Sequence, residues 1–95
     1  MLVNAVIYTF PAEQADEAAR LLHELRDASR AEAGCIGYEV ARANAEPGVF
    51  VLYETWADQA ALDAHYAMEH FVRLGVNGLR KIALSRLAHQ CSPLP

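Results

Sequence analysis

The segment Val49–Trp56 constrains the fold of this chain more than any other. Its sequence, VFVLYETW, is rich in the β-branched and aromatic residues that favour strands. Successive side chains of a strand point to opposite faces, so Val51 and Tyr53 lie on one face. Leu52 and Trp56 lie on the other face. Because both faces are apolar, the segment predicts a strand that is covered on both sides.

The residues at the start of the chain predict a strand followed by a helix. Residues 2–10 are β-branched and aromatic and are followed by Pro11, which is typical of a strand that ends there. In residues 13–32, apolar side chains recur at three- and four-residue steps without Gly or Pro. This pattern indicates an amphipathic helix of about five turns. Gly34 stands where a helix-ending glycine is expected.

The middle of the chain predicts a hairpin and a second helix. Residues 35–43 alternate as a second strand, and the turn-forming residues 44–48 join it to Val49–Trp56 as an antiparallel hairpin. Asp58 is a good N-cap for a helix that runs through His65. We expect helical structure to continue, broken or bent, as far as Leu74.

Gly75 and Gly78 are expected to end this second helical region, and residues 79–89 read as a last strand. The order is then β-α-β-β-α-β, the ferredoxin-like arrangement, in the α+β class with a four-stranded antiparallel sheet. With 95 residues, the chain is predicted to be a single domain over 1–95, with residues 90–95 as a loose tail.

The second face of the predicted sheet needs a partner. Two helices cover one face only, while Val3, Ala5 and Ile7 of the first strand and Val51 and Tyr53 of the third make the other face apolar. Monomers rarely leave several hundred Å² of contiguous apolar surface bare. We therefore predict that an identical subunit covers this face.

Composition excludes several classes of protein. The net charge of -4 disfavours nucleic acid as a partner. We see no signal peptide and no apolar run long enough to span a membrane, so we expect a cytoplasmic protein. Cys35 and Cys91 form no CxxC motif and are expected to be two reduced thiols.

Familiar catalytic and nucleotide-binding motifs are missing, so any site must use polar residues on otherwise apolar elements. Asn4 lies inside the first strand, where a buried amide needs a partner. It is either a structural residue or one that holds a ligand oxygen. His65 follows Leu62 by three residues and faces the sheet, either as a core histidine or as a proton acceptor in a cavity.

Other polar and aromatic residues have competing interpretations. Glu54 is expected to pair with an arginine across the sheet, either Arg42 or Arg86, or else to line a site. Trp56 is expected to anchor the helix that follows, with a pocket wall as the second interpretation. Tyr66, next to His65, is a further candidate for the wall.

His70 is five residues from His65, about 140° around a continuous helix. The two rings would then not bind one metal ion, although a bend in the helix would bring them together. We predict no metal site. His23 is expected to be a solvated helix residue, and His89 to lie at a strand end.

Four segments together resemble a known family. The chain has Gly34-Cys35-Ile36-Gly37-Tyr38-Glu39 after the first helix, then Phe50-Val51-Leu52-Tyr53-Glu54-Thr55-Trp56. It continues with Ala60-Ala61-Leu62-Asp63-Ala64-His65 and with His70-Phe71. This succession, over residues 3–87, resembles the antibiotic biosynthesis monooxygenase family of small domains.

The resemblance implies a dimeric α+β barrel, in which two four-stranded sheets pack face to face. It also implies a monooxygenase that converts an anthrone, quinol or other polyphenol with O₂ and without flavin, haem or metal. Asn4 and His65 match positions that the family uses for catalytic contacts. Trp56, Tyr66, His70, Glu54 and Phe71 are the expected substrate-binding residues.

Other branches of the family supply the alternatives. One degrades haem, with a tryptophan where this chain has His65 and an iron-binding histidine where it has Gly75, so haem degradation is disfavoured. Another processes small phosphorylated signalling sugars, for which Arg42 or Arg73 is the only visible phosphate partner. From a different class, the chain could be a non-catalytic dimer that binds a small aromatic or reactive metabolite.

Overall fold

Four strands form one antiparallel sheet in the computed structural model, which describes residues 1–95. They are β1 (Leu2–Thr9), β2 (Cys35–Arg42), β3 (Val49–Trp56) and β4 (Ser85–Cys91). The order across the sheet is β2-β3-β1-β4, which places β1 and β3 in its centre. This is the predicted ferredoxin-like α+β fold, and β1 and β3 are each paired with a strand on both edges.

The helical segments all lie against one face of the sheet. A 3-10 turn (Ala12–Gln14) leads into helix α1 (Ala15–Arg30), and helix α2 (Gln59–Tyr66) follows β3. The carboxylate of Asp58 caps α2 as predicted, because Oδ1 accepts a 2.9 Å hydrogen bond from the Ala61 backbone amide. A π-helix (Phe71–Leu79) then continues into one α-helical turn (Arg80–Ile82) before β4.

The core lies between the helices and the inward face of the sheet. Val6, Leu52 and Trp56 from the strands pack with Leu22 of α1 and Leu62 of α2. Each of these side chains is almost fully removed from solvent. Burying a side chain of this size stabilises the fold by roughly 1.5–3 kcal/mol.

The opposite face of the sheet is apolar and exposed, as its alternation predicts. Ile7 pairs in register with Val51 on one side and with Leu87 on the other, so the three form a row across the sheet. Tyr53 is 54% exposed and Leu87 is 56% exposed. No helix of the chain is both long and apolar enough to cross a bilayer.

The second helical region corrects one expectation. Gly75 and Gly78 do not end it, because both lie within the π-helix. A Cβ on Gly75 would lie 3.3 Å from the ring of Phe71, so the absence of a side chain lets that ring pack against the helix. β4 consequently begins at Ser85, six residues later than residue 79, and extends to Cys91, so Gln90 and Cys91 are strand residues and not tail.

Gly34 also acts differently from the prediction. No glycine of the chain has a positive φ, so Gly34 does not end α1 through a left-handed conformation. A Cβ at this position would instead collide with the Cβ of Ala61 on α2. The glycine is required because α2 crosses the chain closely just before β2.

Gly34→Ala is therefore expected to lower the free energy of unfolding by about 1–3 kcal/mol, as overpacking does. The matched control is the double variant with Ala61→Gly, which removes the colliding methyl group at a cost of about 1 kcal/mol in helix propensity. Urea unfolding of both single variants and the double variant measures the coupling. If the two costs simply add, the close approach of α2 to Gly34 is not what requires the glycine.

Candidate active site

A buried polar pair stands in the inward face of the sheet, where β1 and β3 lie side by side. Asn4 and Glu54 are register partners, 1% and 3% exposed. Asn4 Nδ2 donates a 3.3 Å hydrogen bond to Oε1 of Glu54. Trp56 Nε1 donates to the same oxygen at 3.2 Å, which fixes the indole ring over the carboxylate. Oε1 of Glu54 thus accepts two hydrogen bonds from strand side chains.

The amide of Asn4 also reaches helix α2. Its Nδ2 lies 3.5 Å from the hydroxyl oxygen of Tyr66, a half-buried residue at the end of that helix. Because Tyr66 accepts this hydrogen bond, its own O–H is free to donate elsewhere. The carbonyl oxygen of Asn4 is buried and has no partner in the protein. This oxygen is therefore a candidate acceptor for a hydrogen bond from a ligand hydroxyl.

Burial raises the pKa of the Glu54 carboxyl above its ordinary value of 4.5. Hydrogen bonds from Asn4 and Trp56 and the charge of Arg86 act in the opposite direction and are weaker. The expected ion pair with an arginine is wrong: Arg42 reaches Asp16 instead. The Arg86 guanidinium lies over the ring of Tyr8, and its Nε is buried without a hydrogen-bond partner.

A second buried carboxylate binds both candidate histidines. Oε2 of Glu32 lies 2.7 Å from Nδ1 of His65 and 2.7 Å from Nε2 of His70. The Glu32 side chain is 5% exposed, that of His65 1% and that of His70 18%. When Nδ1 of a neutral His65 carries the proton and donates this hydrogen bond, Nε2 carries the lone pair.

The chain bends to make this cluster. Helix α2 ends at Tyr66, and the π-helix starts at Phe71 with His70 as its N-cap. The rings of His65 and His70 are consequently 6.1 Å apart between centroids and not on separate faces of one straight helix. Glu32 is the second residue after the end of α1. It was not among the predicted site residues.

Aromatic rings surround His65 and connect it with the first polar group. Its ring centroid is 4.5 Å from that of Trp56 and 5.0 Å from that of Phe71. Tyr66 packs against both His65 and Phe71. Desolvation in this environment lowers the pKa of His65 below its ordinary value of 6.5, and the Glu32 carboxylate opposes it.

The other two histidines lie away from the cluster, because His23 is exposed on α1 and His89 is exposed on β4. Tyr38 is a core residue beside the site: it is the register partner of Glu54, and its ring centroid is 6.1 Å from that of His65. Tyr53 is on the exposed face of the sheet. Cys35 and Cys91 are both free thiols.

The cavity of the structure does not coincide with the polar cluster. Its volume is about 220 Å³, and it lies between α1 and the β2–β3 edge of the sheet. Its lining includes Leu22, His23, Arg26, Val40 and Phe50. Side chains fill the space around Asn4 and His65 where we expected a cavity.

The raised pKa of Glu54 leads to a pH-dependent stability. When folding raises the pKa of a carboxyl, the contribution of that group to stability is fully present below its unfolded pKa near 4.5. The contribution is lost as the pH rises through the folded pKa. Glu54→Gln keeps the hydrogen-bond acceptor but cannot ionise. We expect urea unfolding to show the variant gaining stability relative to the wild type as pH rises from acid to neutral.

Glu46→Gln, a change at an exposed carboxylate in the β2–β3 turn, is the control and is expected to show no such trend. If the stability difference between Glu54→Gln and the wild type is constant with pH, the burial cost assigned to Glu54 is wrong.

Comparisons with known proteins agree with this fold. An uncharacterized protein of Synechocystis sp. is 32% identical over 59 residues, which are 62% of this chain and 40% of that protein. The chain thus spans less than half the length of this curated relative. A Pseudomonas aeruginosa crystal structure is 31% identical, with a TM-score of 0.92 over 99% of this chain and 94% of that chain.

A crystal structure described as antibiotic biosynthesis monooxygenase is 32% identical and has a TM-score of 0.94 over 100% of both chains. A family model, described as antibiotic biosynthesis monooxygenase, matches residues 1–74, which contain all the polar residues of the site except Arg86. The chain belongs to the antibiotic biosynthesis monooxygenase family.

Proposed function

We propose that the chain is a monooxygenase that oxidises an electron-rich polyphenol, anthrone or quinol with O₂ and needs no flavin, haem or metal for this reaction. The observation that carries the proposal is the buried cluster of Asn4, Glu54 and Tyr66 beside a histidine held by Glu32. It joins an unpartnered acceptor, a free hydroxyl donor and a candidate base within an aromatic environment.

His65 is the proton acceptor in this proposal. Its Nδ1 is held by Glu32 at 2.7 Å, so that Nε2 accepts the proton of a phenol, an enol or an activated ring CH₂. The Glu32 carboxylate then stabilises the imidazolium that forms. Because burial keeps the free imidazole neutral, the base is ready to accept a proton at neutral pH.

In this proposal the substrate oxygen binds at Asn4 and Tyr66, after the side chains that fill this space have moved aside. A substrate hydroxyl donates to the unpartnered carbonyl oxygen of Asn4, and the O–H of Tyr66 donates to the oxyanion. The positive charge of Arg86, whose Nε has no partner, adds long-range stabilisation of an anion on this side of the sheet. Trp56 and Phe71 supply the apolar contacts for an aromatic ring.

The oxidation uses the electrons of the substrate anion. For an anthrone, the deprotonated ring transfers an electron to O₂, and the two radicals combine at the ring carbon. Loss of water from the resulting hydroperoxide gives the quinone. One oxygen atom becomes the new carbonyl, and the other leaves as water with the two hydrogens of the original CH₂. The protein orients and deprotonates the substrate, and it excludes bulk water from the site.

The haem-degrading alternative fits the residues poorly. The position at which that branch has an iron ligand is Gly75, which offers no donor atom and lies buried against the Phe71 ring. His65 replaces the tryptophan of that branch and is already bound to Glu32. These residues support a site for a smaller substrate that enters past Tyr66 and Phe71.

The proposed unit is a homodimer. Ile7, Val51, Tyr53 and Leu87 form a contiguous apolar patch on the uncovered face of the sheet. A second copy, packed face to face, would bury the patch and give the two-sheet barrel that the family resemblance implies.

Oxygen uptake by metal-free protein tests the reaction. We expect uptake with anthrones or reduced naphthoquinones, and we expect His65→Ala to lower kcat by roughly 10²–10⁴, the contribution typical of a general base. Asn4→Ala should also lower it, while His23→Ala, on the exposed face of α1, should not. Circular dichroism establishes that each variant is folded.

Two outcomes would contradict the catalytic proposal. Uptake that is unaffected by both His65→Ala and Asn4→Ala would remove these residues from the mechanism. Tight binding of aromatic ligands with no uptake above the uncatalysed rate would favour the alternative, a non-catalytic dimer that binds a small metabolite.

Sedimentation equilibrium tests the dimer. We expect a mass of about twice the 10.5 kDa of one chain, and we expect Val51→Lys to give a monomer. Val72→Lys is the matched control, because Val72 is 41% exposed against 42% for Val51 but lies on the π-helix. A wild-type mass of one chain at all concentrations would overturn the face-to-face assembly.

A further inference from the structure

The cluster around Glu32 has the donor atoms of a transition-metal site. It offers two imidazole nitrogens, Nδ1 of His65 and Nε2 of His70, and one carboxylate oxygen, Oε2 of Glu32. No two of the donor atoms in this cluster lie more than 4.8 Å apart. Two histidines and one carboxylate are a common ligand set for Zn²⁺ and for non-haem Fe²⁺.

The spacing is close to what coordination requires. Metal–ligand bonds of about 2.0–2.1 Å with angles between 90° and tetrahedral separate neighbouring donor atoms by roughly 2.9–3.4 Å. The two nitrogen–oxygen distances of 2.7 Å therefore need to open by a few tenths of an ångström, and the two histidine nitrogens, which lie within 4.8 Å of each other, need to come within about 3.4 Å. The His70 side chain is 18% exposed and precedes the π-helix, so it can make this adjustment.

The charge balance also favours a cation. Both partners of the Glu32 carboxylate are histidines, since no arginine or lysine forms an ion pair with it. Its side chain is 5% exposed, and an ionised carboxylate at such a depth is costly without a balancing charge. A divalent cation would replace the hydrogen-bonded protons and supply that charge.

We propose that Glu32, His65 and His70 form a binding site for one divalent transition-metal ion per chain, with Zn²⁺ as the representative ion. The three side chains come from the ends of α1, α2 and the turn before the π-helix, so the ion links all three helical segments. The sequence predicted no metal site, although it allowed that a bend would bring the two histidines together, and it did not identify Glu32 as a ligand.

The metal site shares His65 with the proposed oxygenase site, but its test does not depend on that activity. Zn²⁺ binding would take Nδ1 of His65 and the carboxylate that holds it, so the ion would lock the base in place and change its proton affinity. We therefore expect Zn²⁺ to inhibit oxygen uptake by the metal-free enzyme. This effect is secondary, and binding itself is measured without any substrate.

Isothermal titration calorimetry of tag-free, metal-free protein with Zn²⁺ tests the site. We expect one equivalent per chain in the wild type. Loss of a group that only supports a metal ligand typically weakens binding by about 10–100-fold, so loss of a ligand in His70→Ala or Glu32→Gln should weaken it at least as much. His23→Ala and His89→Ala remove exposed histidines and should bind as the wild type does.

A second measurement keeps the test decisive if a buried variant fails to fold. In the wild type, Zn²⁺ should shift the ring resonances of His65 and His70 in NMR spectra and leave those of His23 and His89 unchanged. The absence of Zn²⁺ binding would overturn the proposal. So would binding that His70→Ala leaves intact, or resonance shifts confined to the exposed histidines.

Discussion

The carboxylate of Glu32 is the interaction on which the helical side of the molecule depends. It follows α1 and accepts hydrogen bonds from His65, near the end of α2, and from His70, just before the π-helix. A carboxylate so far from solvent is tolerated only when its oxygens are hydrogen-bonded. The partners must therefore converge on it, and this convergence requires the chain to bend between Tyr66 and Phe71.

The polar group in the sheet is also positioned by the need of buried polar atoms for hydrogen-bond partners. Asn4 and Glu54 share one register position, so each supplies a partner for the other when helices cover this face. Trp56, two residues further on the same strand face, completes the set by donating to the same carboxylate oxygen. Its indole ring then lies against His65, which joins the polar group in the sheet to the one between the helices.

Strand alternation and helix periodicity made the element order, the two apolar faces of β3 and the sheet-facing position of His65 predictable, since these patterns are local and strong. The role of Glu32 could not be predicted, because a charged residue after a helix is indistinguishable in one sequence from a solvated one. The π-helix was missed for a related reason. Glycine normally ends a helix, but at Gly75 the packing of the Phe71 ring requires it inside one.

Burial shifts the pKa values of Glu54 and His65 in opposite directions, and each shift favours the neutral form. It raises the pKa of Glu54 and lowers that of His65. In the proposed reaction, a neutral substrate and a neutral imidazole then become an oxyanion and an imidazolium. In a dry site such an ion pair is costly unless each charge has a partner already in place. Glu32 is that partner for His65, while Tyr66 donates to the oxyanion. A proton can therefore move between the substrate and the protein without any side chain first reaching bulk water.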